Sequence, residues 1–184
     1  MYRFYIILFL IRLLFFQIAF ANLTDIADST ILNKKGKTQV DPCILNNMAQ
    51  QNLFINSEKA FLYAKTALKA SLIISNQKEE ARAWYNIGNV YNITGENSKA
   101  LKAYFKALEI RQNINDKEGL SKVLNNIGVL KVNMGEYQKA IDYYNKSLNI
   151  KYQLSDTNGI AGTLANIGNI YFLWSKYREA QEYN

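Results

Sequence analysis

The stretch "WYNIGNVYNITG", Trp84–Gly95, decides how this chain folds. It has the apolar spacing of a helix, yet it carries a glycine in its middle, at Gly88. Asn-Ile-Gly then recurs in "NNIGVLK" (Asn125–Lys131) and in "ANIGNIY" (Ala165–Tyr171), which places Gly88, Gly128 and Gly168 40 residues apart. A glycine costs a helix interior about 1 kcal/mol relative to alanine. A cost repeated at a fixed interval implies that another helix must come close at each of these positions.

The same register runs through the neighbouring segments. Ala60, Ala100, Ala140 and Ala180 share one phase, and Leu68, Leu108 and Leu148 share another. A fixed period of this length is the mark of a stacked array of supersecondary units. Each unit reads as two helices. The first is expected to begin near Asn76, Asp116 and Asp156, whose side chains suit an N-cap, and Asn76 with Glu79 has the form of a capping box. Gly95-Glu96 and Gly135-Glu136 break the pattern, and a second helix follows, as in "SKALKAYFKALEI" (Ser98–Ile110) with Ala100, Tyr104, Ala107 and Leu108 on one stripe.

Trp84-x2-Ile87-Gly88-x2-Tyr91, followed by Ala100-x3-Tyr104, resembles the tetratricopeptide repeat pattern of Trp, Leu-Gly, Tyr, Ala and Phe. The resemblance covers residues 41–184. It implies an all-α fold, a right-handed superhelical solenoid of antiparallel helix pairs, with glycine and alanine letting the two helices of a pair approach. The period is 40 residues where the commonest form has about 34, and the proline that usually closes the second helix is missing. In both respects the chain is similar to the longer repeats of kinesin light chain, of Leu-Gly-Asn-type scaffolds and of exported bacterial signalling proteins.

The organisation read from this register has six parts. Residues 1–21 form a signal peptide or uncleaved anchor, and 22–40 a linker. Residues 41–80 form a degenerate first repeat, with Met48 in the glycine phase and Gln51 in the aromatic one. Residues 81–120 and 121–160 are full repeats. Residues 161–184 form an incomplete one, whose second helix is expected to begin near "KYREAQEYN" and to be cut short. Asp41-Pro42 fits an N-cap with proline at the first helical position.

At the N-terminus, "MYRFYIILFLIRLLFFQIAFAN" joins a basic Arg3 to an apolar run and ends in Ala19-Phe20-Ala21, a small-x-small cleavage signal before Asn22. Arg12 would cost a permanent span about 2.5–3.5 kcal/mol, against about 0.3–0.6 gained per Leu, Ile or Phe. Hydrophobicity alone therefore leaves anchor and leader open, and the Ala-Phe-Ala site favours a cleaved leader and export to a periplasmic or secreted location. Removing residues 1–21 leaves 20 basic against 15 acidic residues, a formal charge of +5. That charge is spread along the chain and does not form the stripe a nucleic-acid surface needs.

Histidine is absent and Cys43 is the sole cysteine, so the commonest general base, an intramolecular disulfide and a cysteine-based zinc site are all excluded. No Gly-rich phosphate loop or nucleophile elbow is present. The aromatics, Tyr91, Tyr104, Tyr143, Tyr144 and Tyr171, sit at helical spacing that suits core packing. No cofactor and no catalysis are expected.

On a helical wheel, Arg82, Asn86, Asn89 and Ile93 lie opposite the Gly88 side. The matching residues are Lys122, Asn126, Val129 and Asn133, then Gly162, Asn166, Asn169 and Leu173. If the first helices line the inner surface, as the resemblance implies, Asn86, Asn126 and Asn166 form a ladder along a groove. A carboxamide offers two donors and an acceptor, which suits it to an extended peptide backbone. It suits equally a bond to a neighbouring helix or to water, and both uses stay open. Arg82 and Lys122 would attract an acidic side chain or a terminal carboxylate. Asn166 stands where a carboxylate clamp of the chaperone-binding kind needs a cation, so binding of chaperone tails is not expected.

Two functions follow: an exported scaffold that binds a protein or extended peptide segment, and the sensor segment of a membrane signalling enzyme of the histidine kinase or nucleotide cyclase type. N-terminal sequencing of the expressed chain tests the leader. Asn22 at the terminus is expected; Met1 would make residues 4–20 an anchor.

Overall fold

The computed structural model describes residues 40–182, and these described residues form seven α-helices. They are α1 (Pro42–Asn52), α2 (Ser57–Ile73), α3 (Gln77–Ile93), α4 (Asn97–Asn113), α5 (Lys117–Asn133), α6 (Tyr137–Gln153) and α7 (Thr157–Glu182). The expected leader or anchor of residues 1–21 and nearly all of the expected 22–40 linker lie outside the described residues. Helices α2 to α6 are each 17 residues long. The pairs α3–α4 and α5–α6 each begin four residues before the unit boundaries at 81 and 121.

Local chemistry sets these ends. Asn76, Asp116 and Asp156 accept hydrogen bonds from the backbone N–H groups of Glu79, Gly119 and Gly159 at 3.2, 2.9 and 2.9 Å. Asp41 accepts from Cys43 N at 2.8 Å at the start of α1, with Pro42 in the first turn. The reciprocal half of the Asn76 capping box is not made, because the Glu79 carboxylate turns away to accept from Asn46. Asn56 caps α2 in the same way, accepting from Lys59 N at 2.9 Å, but the first-to-second turns of the two full repeats use a different device. Gly95 and Gly135 take φ of +78° and +73°, a left-handed conformation that glycine adopts without a Cβ clash, and α4 and α6 begin without a side-chain cap.

The two glycines of the full repeats pack as their spacing requires. A Cβ at Gly88 would lie 2.5 Å from two ring carbons of Tyr104, and one at Gly128 would lie 2.6 Å from Tyr144. Both rings are buried. Burial pushes the Tyr144 hydroxyl up to about 12 and shifts Tyr104 in the same direction. Around the first ring, Ala100 and Ala107 of α4 meet Val123, Ile127 and Leu130 of α5, so one core joins each pair to the next. The first helices of successive pairs touch one another, whereas the second helices touch only first helices. The stack therefore curves with α1, α3, α5 and α7 on its inner side and α2, α4 and α6 outside, as a solenoid of helix pairs.

Helix α7 departs from the expected hairpin. It runs unbroken over 26 residues, from Thr157 to Glu182, where the register would turn at 174–176. The glycine of the first-to-second turns in the two full repeats is replaced here by Ser175. The left-handed turns that do use a non-glycine residue, at Ser75, Asn115 and Ser155, are each followed by a capping Asn or Asp. Lys176 cannot cap, so continuing the helix is what satisfies the backbone. Gly168 accordingly has nothing within 4 Å of its Cβ position, and Leu164 and Phe172 beside it are exposed.

This contrast gives a direct expectation for urea denaturation. Gly128→Ala should lower stability by about 1–3 kcal/mol, the usual cost of overpacking a buried ring. Gly168→Ala should raise it by up to about 1 kcal/mol through helix propensity. Equal effects at the two sites would remove the role given to Tyr144.

Candidate functional site

The inner rank of first helices carries the polar positions singled out above, and the structure divides them into two groups. Asn86 faces α1. It is 2% exposed, and its amide donates to the backbone and side-chain oxygens of Asn46 at 3.2 and 2.9 Å. Asn46 in turn donates to the backbone carbonyl and the carboxylate of Glu79 at 3.0 and 2.9 Å. Asn46 is the same column one repeat earlier, kept in a unit that otherwise looks degenerate. A side chain this deeply buried presents no surface to a ligand.

Asn89 is also drawn inward, its oxygen accepting from the Tyr104 hydroxyl at 2.8 Å and from Asn126 at 2.9 Å. Asn126 is half-buried and donates as well to the Tyr85 hydroxyl at 3.0 Å. Val129 packs against the cluster of Ile141, Tyr144 and Ile170.

The remaining positions stay on the surface. Asn133 is exposed and reaches Asn92 at 3.3 Å. Asn166 is half-buried, Asn169 is exposed, and neither makes a side-chain hydrogen bond among the described residues. Lys122 is exposed and pairs with Glu118 at 2.6 Å. Arg82 donates to Asn47 and, at 3.1 Å, to Gln50, and it points a third N–H at the Cys43 sulfur at 3.7 Å. Its nearest carboxylate, Glu79, is 3.8 Å away.

A second set of polar residues escaped the sequence reading. Arg111, Lys131 and Lys151 are buried cations in the last turns of α4, α5 and α6. Arg111 binds Asp116 at 2.9 Å and Lys131 binds Glu136 at 3.0 Å, each reaching five residues ahead across the turn. Lys151 donates instead to Gly159 O at 3.2 Å and to Thr163 at 2.6 Å. A cation at a helix C-terminus is favoured by the helix dipole. The signal was in the sequence: a basic residue five before an acidic one, in phase with each turn. Burial lowers the Arg111 and Lys151 pKa values, and the neighbouring acids oppose the shift.

Between α1, α3, α5 and the end of α4 lies an open pocket of about 430 Å³, whose walls include Cys43, Arg82, Tyr85, Arg111, Asp116 and Lys122. Among the described residues no cluster of Cys, Asp and Glu is placed to hold a metal, and no helix is long and apolar enough to cross a membrane.

The placement of Asn86 makes it a stability residue. Asn86→Ala should cost about 1–3 kcal/mol by stranding Asn46 oxygens in the interior, while Asn133→Ala should stay within about 0.5 kcal/mol. Thermal melting of the two variants checks this, and an Asn86→Ala variant as stable as the parent would contradict it.

The sequence profile of the tetratricopeptide repeat family matches residues 79–153. Among solved structures, aspartyl phosphate phosphatase F from Bacillus subtilis is similar with a TM-score of 0.67 and 16% identity, over 77% of this chain and 38% of that one. BtubC (BKLC) from P. vanneervenii is similar with a TM-score of 0.65 and 19% identity, over 89% of this chain and 70% of that one. At these identities the likeness is one of fold. This chain spans 38% of the length of the Bacillus phosphatase. No curated protein matches the sequence. Residues 79–153 thus match the tetratricopeptide repeat profile, and the fold is an all-α solenoid of helix pairs like those of these structures.

Proposed function

We propose that this is an exported, non-catalytic scaffold that holds an extended protein segment along the inner rank formed by α3, α5 and α7. The observation that carries the reading is the division of the asparagine column. Asn86 is consumed by packing, but Asn166 and Asn169 keep free carboxamides on the same curved face, with Asn126 and Asn133 beside them. A free carboxamide offers two donors and an acceptor and can grip a peptide backbone without regard to its side chains. Lys122, at the same face, favours a segment that carries acidic residues. Repeat solenoids of this kind serve as protein-interaction scaffolds, and the absence of histidine removes the commonest proton-transfer group.

The test uses peptides selected by display against residues 22–184. They should shift backbone amide resonances in α3, α5 and α7 and lose about five- to tenfold in affinity with Asn166→Ala, the value of one hydrogen bond. Asn166 is the cleaner probe, because Asn126→Ala also removes bonds to Tyr85 and Asn89. Selected peptides that shift α2, α4 and α6 instead, or that ignore Asn166→Ala, would overturn the reading.

A further inference from the structure

Helix α7 has a second exposed face, apart from the one that bears Asn166 and Asn169. Ala161, Leu164, Ala165, Gly168, Tyr171 and Phe172 recur at helical spacing, and all six are exposed. Leu164, Tyr171 and Phe172 are 48%, 58% and 60% exposed. On α3 and α5 the same face is closed by the rings of Tyr104 and Tyr144 over Gly88 and Gly128, whereas nothing lies within 4 Å of a Cβ placed on Gly168. Single exposed apolar side chains are ordinary, but a continuous stripe of them marks a surface that binds something.

Three features of the stripe decide what covers it. First, α7 runs on as one helix to Glu182. The residues that would fold back over Gly168 in the register of the other pairs continue along the helix axis instead. Second, no charged residue occurs from Thr157 to Ser175. A two-fold axis sets each residue beside it against its own copy, so an uncharged stretch avoids the like-charge contacts that the symmetry would otherwise force. A lipid surface draws instead on lysines and arginines beside the apolar face, and this stretch has none.

Third, the stripe is complementary to itself. An antiparallel pair of α7 helices with its two-fold axis at Gly168 brings the two glycines together, where the missing Cβ atoms let the backbones approach. It sets Tyr171 and Phe172 of each chain against Leu164 and Ala165 of the other. Aromatic residues bury about 150–250 Å² each, so these two, more than half exposed, supply on the order of 200 Å² per chain before Leu164 and the rest of the helix are added. The total falls towards the lower end of specific interfaces, where association is weak and reversible.

We propose that this stripe is the interface of a symmetric dimer, in which α7 of a second copy of this chain lies antiparallel across Gly168. Asn166 and Asn169 lie about 160° and 100° round the helix from Gly168, so the dimer leaves both of them accessible. It joins two inner ranks in one particle, which strengthens binding to a partner that offers two segments.

Sedimentation velocity and light scattering of the purified chain from about 1 to 200 µM, the range that interfaces of this size occupy, test the assignment. Monomer should convert to dimer as concentration rises, with no larger species, because a two-fold contact closes on itself. Tyr171→Lys and Leu164→Glu should each weaken dimerisation at least tenfold while the far-ultraviolet circular dichroism stays helical. An equimolar mixture of the two variants should associate again, since the new lysine of one copy then faces the new glutamate of the other. Asn166→Ala should leave the dimer unchanged, which separates this proposal from the fate of the scaffold reading. A monomer over the whole range would overturn the proposal, as would open-ended oligomers, association indifferent to Tyr171→Lys, or a mixture as weak as its components. A chain that stays monomeric but sediments with phosphatidylglycerol vesicles, and loses this in Tyr171→Lys, would assign the stripe to a lipid surface and overturn it too.

Discussion

A tyrosine ring can lie flat against a helix only where that helix has no side chain, and twice in this chain the ring and the gap are 16 residues apart. Tyr104 fills the space over Gly88, and Tyr144 fills the space over Gly128. The contact draws the helices of a pair together, and close pairs bring Ala100, Ala107, Val123, Ile127 and Leu130 into a common core. The 40-residue period follows from this. A helix long enough to carry the ring, a turn and the next gap must be reproduced in register, or the following pair cannot seat. Helix α7 shows the contact by default, since Gly168 has no ring over it and the apolar residues around it stay exposed.

A first helix in such a stack has neighbours on more than one side. The glycine side meets its own pair, and the side of Asn86 meets the first helix of the preceding pair. Amide-to-amide bonds such as Asn86 to Asn46 and Asn126 to Asn89 join the inner rank across repeats, while buried cations near the turns tie the end of one helix to the start of the next. Polar groups therefore fix the relative placement of pairs that the apolar core brings together. Of the asparagines on this rank, Asn166 and Asn169 of α7 are left without a side-chain hydrogen bond among the described residues.

Much of the fold was legible in the residues themselves. Asn76, Asp116 and Asp156 cap the helices they were expected to start, and Gly95 and Gly135 take the left-handed turns. These features are local, and local chemistry reads directly from a sequence. The site was less legible, for a physical reason. A helical wheel ranks residues by one apolar face and leaves everything opposite as if it were solvent. Asn86 and Asn89 lie opposite that face and are nevertheless enclosed, because a second helix arrives there. Their partners, Asn46 and Tyr104, sit 40 and 15 residues away, and Asn46 lies in a unit whose core pattern has faded. The unbroken course of α7 turns on Ser175 and Lys176, neither of which marks a helix stop or forbids one.

The central claim is that glycine and tyrosine act as one packing unit, and a double-mutant cycle between Gly88→Ala and Tyr104→Ala measures it most directly. Removing the ring opens the space that the new methyl group would enter. The cost of Gly88→Ala should therefore fall by at least about 1 kcal/mol in the Tyr104→Ala background, a coupling of the size seen between residues in contact. Costs that simply add would mean that the glycine is not there for the tyrosine, and the origin assigned to the 40-residue period would be wrong.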